Sequence, residues 1–323
     1  MKKIVGLVVL IVGIAVVTAL ASRDPAGGYP FLSGFNVANL LSRIGRFGVL
    51  SVAAAFVIVT GGIDLSIGSV VCVAGCLLPW LVHDLGVPGF VALPLVLLVA
   101  AAIGLFHGVC VVWVRLQPFV VTLCGLLLYR GLMRAFTGDQ TMRLAADDTN
   151  LIELAEARVP LGGGYGLPVP LLVLLGVAAV TSLVWRRSVA GRHLFALGHN
   201  EEAARLAGVP TKRLTVLAYV ACSLLAGLGG CLFVLEVKSA QAQSFGSFYE
   251  LYAIAGAVLG GTALRGGEGT VLGVVLGASL MQLLSNTINL VGRSNQLEFA
   301  VVGAVILAGA ALDEGVRRYV RRR

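Results

Sequence analysis

Gly61-Gly62-Ile63-Asp64-Leu65-Ser66-Ile67-Gly68-Ser69 is a polar, glycine-broken stretch inside an otherwise lipid-soluble sequence. Apolar residues precede it over 48–59 and follow it over 70–82. A charged side chain at the centre of a bilayer costs roughly 2.5–3.5 kcal/mol on insertion scales. Irregular backbone at that depth is tolerated only where protein covers it or a watery cavity bathes it. The stretch therefore points to a pathway or gate in a membrane protein, with Gly61, Gly62, Asp64 and Ser66 as candidate residues. Asp64 also fits a structural role, because Asp or Ser ahead of an apolar run is a good helix N-cap.

Working outward, apolar residues make up 58% of the 323-residue chain and charged residues only 12%, a balance foreign to soluble globular domains. Spans of about 20 residues leave room for roughly ten helices. The apolar runs fall near 4–22, 45–61, 66–83, 90–113, 117–136, 166–185, 214–235, 250–263, 270–290 and 297–312. The expectation is one all-α, polytopic transmembrane domain over residues 1–323, with both termini cytoplasmic. The 42 glycines suit close helix packing in lipid. A net charge of +8 does not imply nucleic acid. The basic residues read as loop residues flanking the spans, biased to the cytoplasmic side as the positive-inside rule requires. Lys2, Lys3 and the Ala19-Leu20-Ala21 ending give the first span a signal-peptide character, but its length favours a retained helix. All six cysteines lie in apolar segments without a C-x-x-C pair, so they read as packing.

Two polar insertions interrupt the apolar pattern. The outer one, 137–165, carries several acids and reads either as a solvated loop or as a docking surface. The inner one, 186–213, contains Asn200-Glu201-Glu202-Ala203-Ala204-Arg205-Leu206-Ala207-Gly208-Val209-Pro210. Asn200 suits an N-cap, Glu201 and Glu202 complement the positive end of the helix dipole, Gly208 suits the C′ position and Pro210 prevents continuation. Two turns are marginal alone in water, so this helix should dock, either on its own membrane domain or in a cytoplasmic partner. A second glycine break, Gly260-Gly261-Thr262-Ala263-Leu264-Arg265-Gly266-Gly267-Glu268-Gly269, echoes the first only as G-G-x-x-L. Asn286 and Asn289 in the ninth span fit either polar pathway lining or helix–helix hydrogen bonding.

No phosphate-binding G-x-x-x-x-G-K-[ST] loop, metalloprotease or hydrolase motif occurs. The chain reads as no enzyme and as holding no cofactor. Few ionisable groups fall within the spans, so the energy source lies outside this chain.

The G-G-I-D-L-S-I-G-S stretch, the Gln117-Pro118-Phe119-Val120-Val121-Thr122-Leu123 start of the fifth span and G-R-H-L-F-A-L-G-H-N-E-E-A-A-R-L-A-G-V over 191–209 resemble the ribose-type sugar permeases, the membrane subunits of bacterial ATP-binding-cassette importers. The likeness continues through Tyr249-Glu250-Leu251-Tyr252-Ala253-Ile254-Ala255, the second glycine break and Ala311-Leu312-Asp313. His199-Asn200 stands where many members read Gly-Asn. The resemblance implies a permease in the bacterial inner membrane, paired with a second copy or a related chain. It also implies two ATPase subunits that use the ATP, and a periplasmic sugar-binding protein. Asn200, Glu201, Glu202, Ala203, Ala204, Arg205 and Gly208 would then form the segment that inserts into an ATPase cleft. Permeases for branched-chain amino acids, nucleosides or autoinducer-2 would share this architecture, and a secondary carrier would work alone.

Overall fold

The computed structural model describes residues 2–24, 27–144, 149–162, 165–291, 300, 303–304 and 307. Among them eight helices are long and apolar enough to cross a membrane. α1 (Lys2–Ala21) is followed by α2 (Gly34–Val59), α3 (Ile67–Pro79, extended by a π turn over Trp80–Asp84), α4 (Gly89–Val112) and α5 (Pro118–Thr137). A small layer of β1 (Thr141–Arg143), α6 (Thr149–Glu156) and the hairpin β2 (Arg158–Gly162) and β3 (Tyr165–Pro168) leads into α7 (Val169–Arg187). Two short helices, α8 (Val189–His199) and α9 (Glu201–Leu206), then precede α10 (Thr211–Val237). β4 (Ser239–Gln241), the short apolar α11 (Tyr249–Leu259) and α12 (Val271–Leu290) complete the described part. The expected all-α membrane bundle is present, while most of the tenth expected span, 297–312, lies outside the described residues.

Burial separates centre from periphery. The apolar windows of α2 and α10 are 78% and 67% buried, whereas that of α1 is 6% buried and that of α7 22%. α2, α3 (67% buried as well) and α10 thus form the centre, and the peripheral helices present Leu, Val and Phe to lipid. Glycines let α11 and α12 approach until backbone meets backbone: a Cβ on Gly273 or Gly277 would strike the carbonyl of Gly260 or Gly256. At the end where α2 starts, β1 pairs antiparallel with β4 across nearly a hundred residues of chain, and the Tyr165 hydroxyl donates to Leu32 O at 2.9 Å.

Two expectations need correction. α2 starts at Gly34 rather than near 45, because Ser33 caps it by accepting from Asn36 N at 3.2 Å. Its first turns carry Asn36, Asn39, Arg43 and Arg46, which lower the local hydropathy and hid the helix. The basic residues are consequently not confined to loops. Arg46 lies within α2 at 4% exposure, and Arg130 within α5 donates to the carbonyls of Ala242, Gln243 and Phe245. Internal acceptors, rather than solvent, hold these charges.

Candidate functional site

The predicted docking helix forms as α9, closed at both ends by its own residues. Asn200 Oδ1 accepts from Ala203 N at 2.9 Å, and Glu201 and Glu202 occupy the first turn. Arg205 lies 3.7 Å from Glu202. At the other end Val209 N donates to Ala204 O and Gly208 N to Arg205 O, both at 3.0 Å. With Gly208 at φ +81°, this is a Schellman closure. Ala204 is buried, but Glu201, Glu202, Ala203, Arg205 and Gly208 are exposed and Leu206 is 80% exposed. The helix therefore leans on its own chain by one small side chain and leaves the rest of its surface open.

Both glycine breaks meet the base of this segment. Gly267 N donates to Val59 O at 2.9 Å, which ties the loop over 260–269 to the end of α2. A Cβ on Gly198, in the last turn of α8, would strike Val59 O and approach Gly267 N at 2.5 Å. One on Gly266 would lie 2.8 Å from both Gly198 O and Gly61 N. Three chain segments thus pass with only backbone between them. The two breaks also close alike: Gly62 N bonds Val57 O as Thr262 N bonds Ala257 O, with Gly61 at φ +85° and Gly261 at φ +90°. The slight G-G-x-x-L echo corresponds to a shared helix ending.

Asp64 lies behind this junction at 2% exposure. Its Oδ1 accepts from Ser66 N at 2.8 Å and Ser66 Oγ at 2.6 Å, a turn that organises the entry to α3. Ser66 itself occupies the N-cap position and makes no side-chain cap bond. Gly62 packs on the Tyr219 hydroxyl, 2.9 Å from the place a Cβ would take, and Thr122 Oγ1 donates to Ile63 O at 3.1 Å. Gly62, Asp64 and Ser66 are buried while Gly61 is exposed, and none of the four is among the residues that line the larger cavity.

The larger cavity lies at the other end of the bundle. It is an open cleft of ≈ 600 Å³ among the first half of α2, the end of α10, the start of α11 and the end of α12, a size typical of small-molecule pockets. Phe47, Phe233, Tyr249 and Tyr252 make its aromatic wall, with Phe233 and Tyr249 centroids 4.7 Å apart. Asn36, Asn39, Arg43, Arg46, Glu236, Ser247 and Asn286 are polar residues of its lining. Asn286 Nδ2 donates to Asn36 Oδ1 at 2.8 Å and Asn36 Nδ2 returns a 3.3 Å bond to Asn286 Oδ1. Asn286 therefore both lines the cavity and bridges helices. Asn289 is exposed and is not part of the lining. Most of the cavity's polar groups escaped sequence reasoning, yet 36, 39, 43 and 46 have the 3-4-3 spacing of one helical face, and that spacing was the available signal.

A family model described as "Branched-chain amino acid transport system / permease component" matches residues 36–310. The chain belongs to that family. Ribose import permease RbsC of Escherichia coli (strain K12) is 34% identical over 95% of this chain and 92% of its own length. RbsC of Bacillus subtilis (strain 168) is 31% identical over 88% and 86%. Fructose import permease FrcC of Rhizobium meliloti is 26% identical over 94% and 85%. No solved structure matches the chain significantly. Family membership and the long apolar helices make this chain a multi-pass inner-membrane permease, not an enzyme, as the resemblance to ribose-type permeases implied.

Proposed function

We propose that this permease is the membrane subunit of an ATP-driven importer that moves a monosaccharide, a pentose or hexose, into the cytoplasm by alternating access. The observation that carries this reading is the α9 junction, where an exposed, doubly capped helix is joined through backbone contacts to both glycine breaks of the bundle. Such a helix suits insertion into an ATPase cleft. Asn200, Glu201, Glu202, Ala203, Ala204, Arg205 and Gly208 form the coupling segment, and displacement there reaches α2 through Gly198 and α10 through Pro210. Two ATPase subunits or domains hydrolyse the ATP. A second permease, identical or related, completes the pathway, and a periplasmic sugar-binding protein docks on the layer built by β1, α6, β2 and β3. The names of the ribose and fructose permeases support a sugar as cargo.

Changing Glu201 and Glu202 together to Lys should abolish sugar uptake in cells while leaving the permease in the membrane. Uptake at the wild-type level would overturn the coupling role. The family description keeps a branched-chain amino acid as the competing cargo. Inhibition of uptake by excess leucine, but not by ribose or fructose, would favour it.

A further inference from the structure

The import reading leaves open what the cavity recognises, and the following inference rests on that reading. Among the described residues three charged side chains line the cavity: Arg43, Arg46 and Glu236. Arg46 has its charge answered by Glu236. It also donates to Ser42 Oγ at 2.9 Å and lies over the Phe233 ring, 5.1 Å from the centroid. Arg43 differs. Its Nε donates to Gln282 Oε1 at 3.2 Å, and Gln282 is 1% exposed, so a neutral, buried amide anchors the guanidinium. No carboxylate among the described residues pairs with Arg43, which leaves the cavity lining with one net positive charge.

A guanidinium held through Nε presents its remaining N–H groups as the fork that matches a carboxylate. Beside it, Asn39 and Asn286 offer amide donors and Asn36 an acceptor oxygen, its own amide hydrogens being taken by Phe31 O and Asn286 Oδ1, while Tyr249 and Tyr252 offer ring surface. One wall therefore suits hydroxyls and C–H faces, and Arg43 suits an anion. A neutral sugar fills the same space but leaves the guanidinium unanswered, and that difference discriminates between the two. We propose that Arg43 is the specificity-determining residue of a solute site in this cavity, and that the site takes a monosaccharide bearing a carboxylate, a uronate or aldonate. The carboxylate lies on Arg43, and the hydroxyls lie on the amides.

The test is equilibrium binding to the full-length permease in neutral-lipid nanodiscs, with two matched pairs of probes: D-galacturonate against D-galactose, and D-gluconate against D-glucitol. The acid is expected to bind at least tenfold tighter than its neutral counterpart in one pair or both. Arg43→Gln should bring that ratio close to one, and Arg43→Lys, which keeps the charge, should retain part of it. A ratio near one in both pairs for the wild type, or an undiminished ratio in Arg43→Gln, would overturn the assignment. Should Arg43→Gln fail to fold, complete loss of preference in Arg43→Lys overturns it equally. ATPase retention by the permease in mild detergent tests the import reading separately. A retained ATPase without acid preference defeats only the role of Arg43, whereas acid preference without any ATPase defeats the import reading and leaves Arg43 standing.

Discussion

Gly198→Ala isolates the junction of α8 with the end of α2 and the second glycine break. The added methyl would meet Val59 O and Gly267 N, two atoms already hydrogen-bonded to each other at 2.9 Å. Both are backbone, so no side chain can swing aside. Forcing a methyl group into packed structure costs typically 1–3 kcal/mol, and disturbing the hydrogen bond adds about 0.5–1.5 kcal/mol. Replacing Gly by Ala within a helix returns up to about 1 kcal/mol. The net is roughly 1–3 kcal/mol, or about a 5- to 150-fold weakening of the junction. Two glycines serve as controls. Gly176 in α7 has open space where its Cβ would lie, so Gly176→Ala should be neutral or slightly stabilising. Gly208→Ala also has space but meets φ +81°, and should lose about 1–2 kcal/mol of local helix-end stability. The assay pairs thermal unfolding in detergent with sugar uptake in membrane vesicles and ATPase co-purification. Gly198→Ala should unfold a few degrees lower and keep its ATPase, because α9 is untouched, yet take up sugar more slowly than the wild type. Wild-type melting and uptake in Gly198→Ala would refute the claim that these segments are locked by backbone contact.

Asp64→Ala removes the acceptor of two bonds from Ser66 and leaves a buried N–H unsatisfied. A loss of about 2–4 kcal/mol is expected, with Asp64→Asn much milder because it keeps an acceptor oxygen; equal melting temperatures for the two variants would refute this. The paired amides of Asn36 and Asn286 should show a coupling of about 0.6–1.7 kcal/mol in a double-mutant cycle measured by unfolding in detergent. On the layer beside β1, the Arg134 guanidinium bonds both oxygens of Asp139 at 2.8 Å and holds that carboxyl below its usual range. A depressed carboxyl pKa stabilises above the unfolded value and loses that contribution as pH falls through the folded one. The small melting difference between wild type and Asp139→Asn should therefore vanish below the ordinary carboxylate range; a difference that grows with acidification would contradict the pairing.

Local signals carried much of the architecture and of α9. Gly61, Gly208 and Gly261 stand where a left-handed backbone ends a helix, and Asn200 and Pro210 bracket α9 as capping chemistry demands. Features that depend on distant partners were illegible. The run Thr141–Arg143 says nothing of its pairing with Ser239–Gln241, since three-residue strands carry no period. α8 was hidden inside a polar insertion, although Ser188 caps it by accepting from Gly191 N at 2.9 Å. The start of α2 was missed because hydropathy counts Arg43 and Arg46 as solvent-seeking. Their solvent is a cavity built by α10, α11 and α12, elements some 200 residues away in sequence.

The two candidate sites share the same two helices. α2 lines the cavity with Asn36 and Arg46 and reaches the α9 junction through Val59, a rise of about 35 Å along a single helix. α10 starts at Thr211, just beyond Pro210, and reaches the cavity with Phe233 and Glu236. Both are buried along most of their length, so under the proposed mechanism displacement at one end should tilt the whole rod instead of bending it. Either rod would suffice to transmit movement, and they can be separated. Gly198→Ala disturbs the contact with α2 and leaves the chain into α10 intact. Inserting two glycines between Val209 and Pro210 does the reverse, loosening α9 from α10 while the backbone contacts at Val59 persist. If α10 is the lever, the insertion abolishes uptake and Gly198→Ala retains a measurable fraction of it. If α2 is the lever, the order reverses. Full uptake in both variants would show that neither rod carries the stroke alone, and loss in both would make them one mechanical unit.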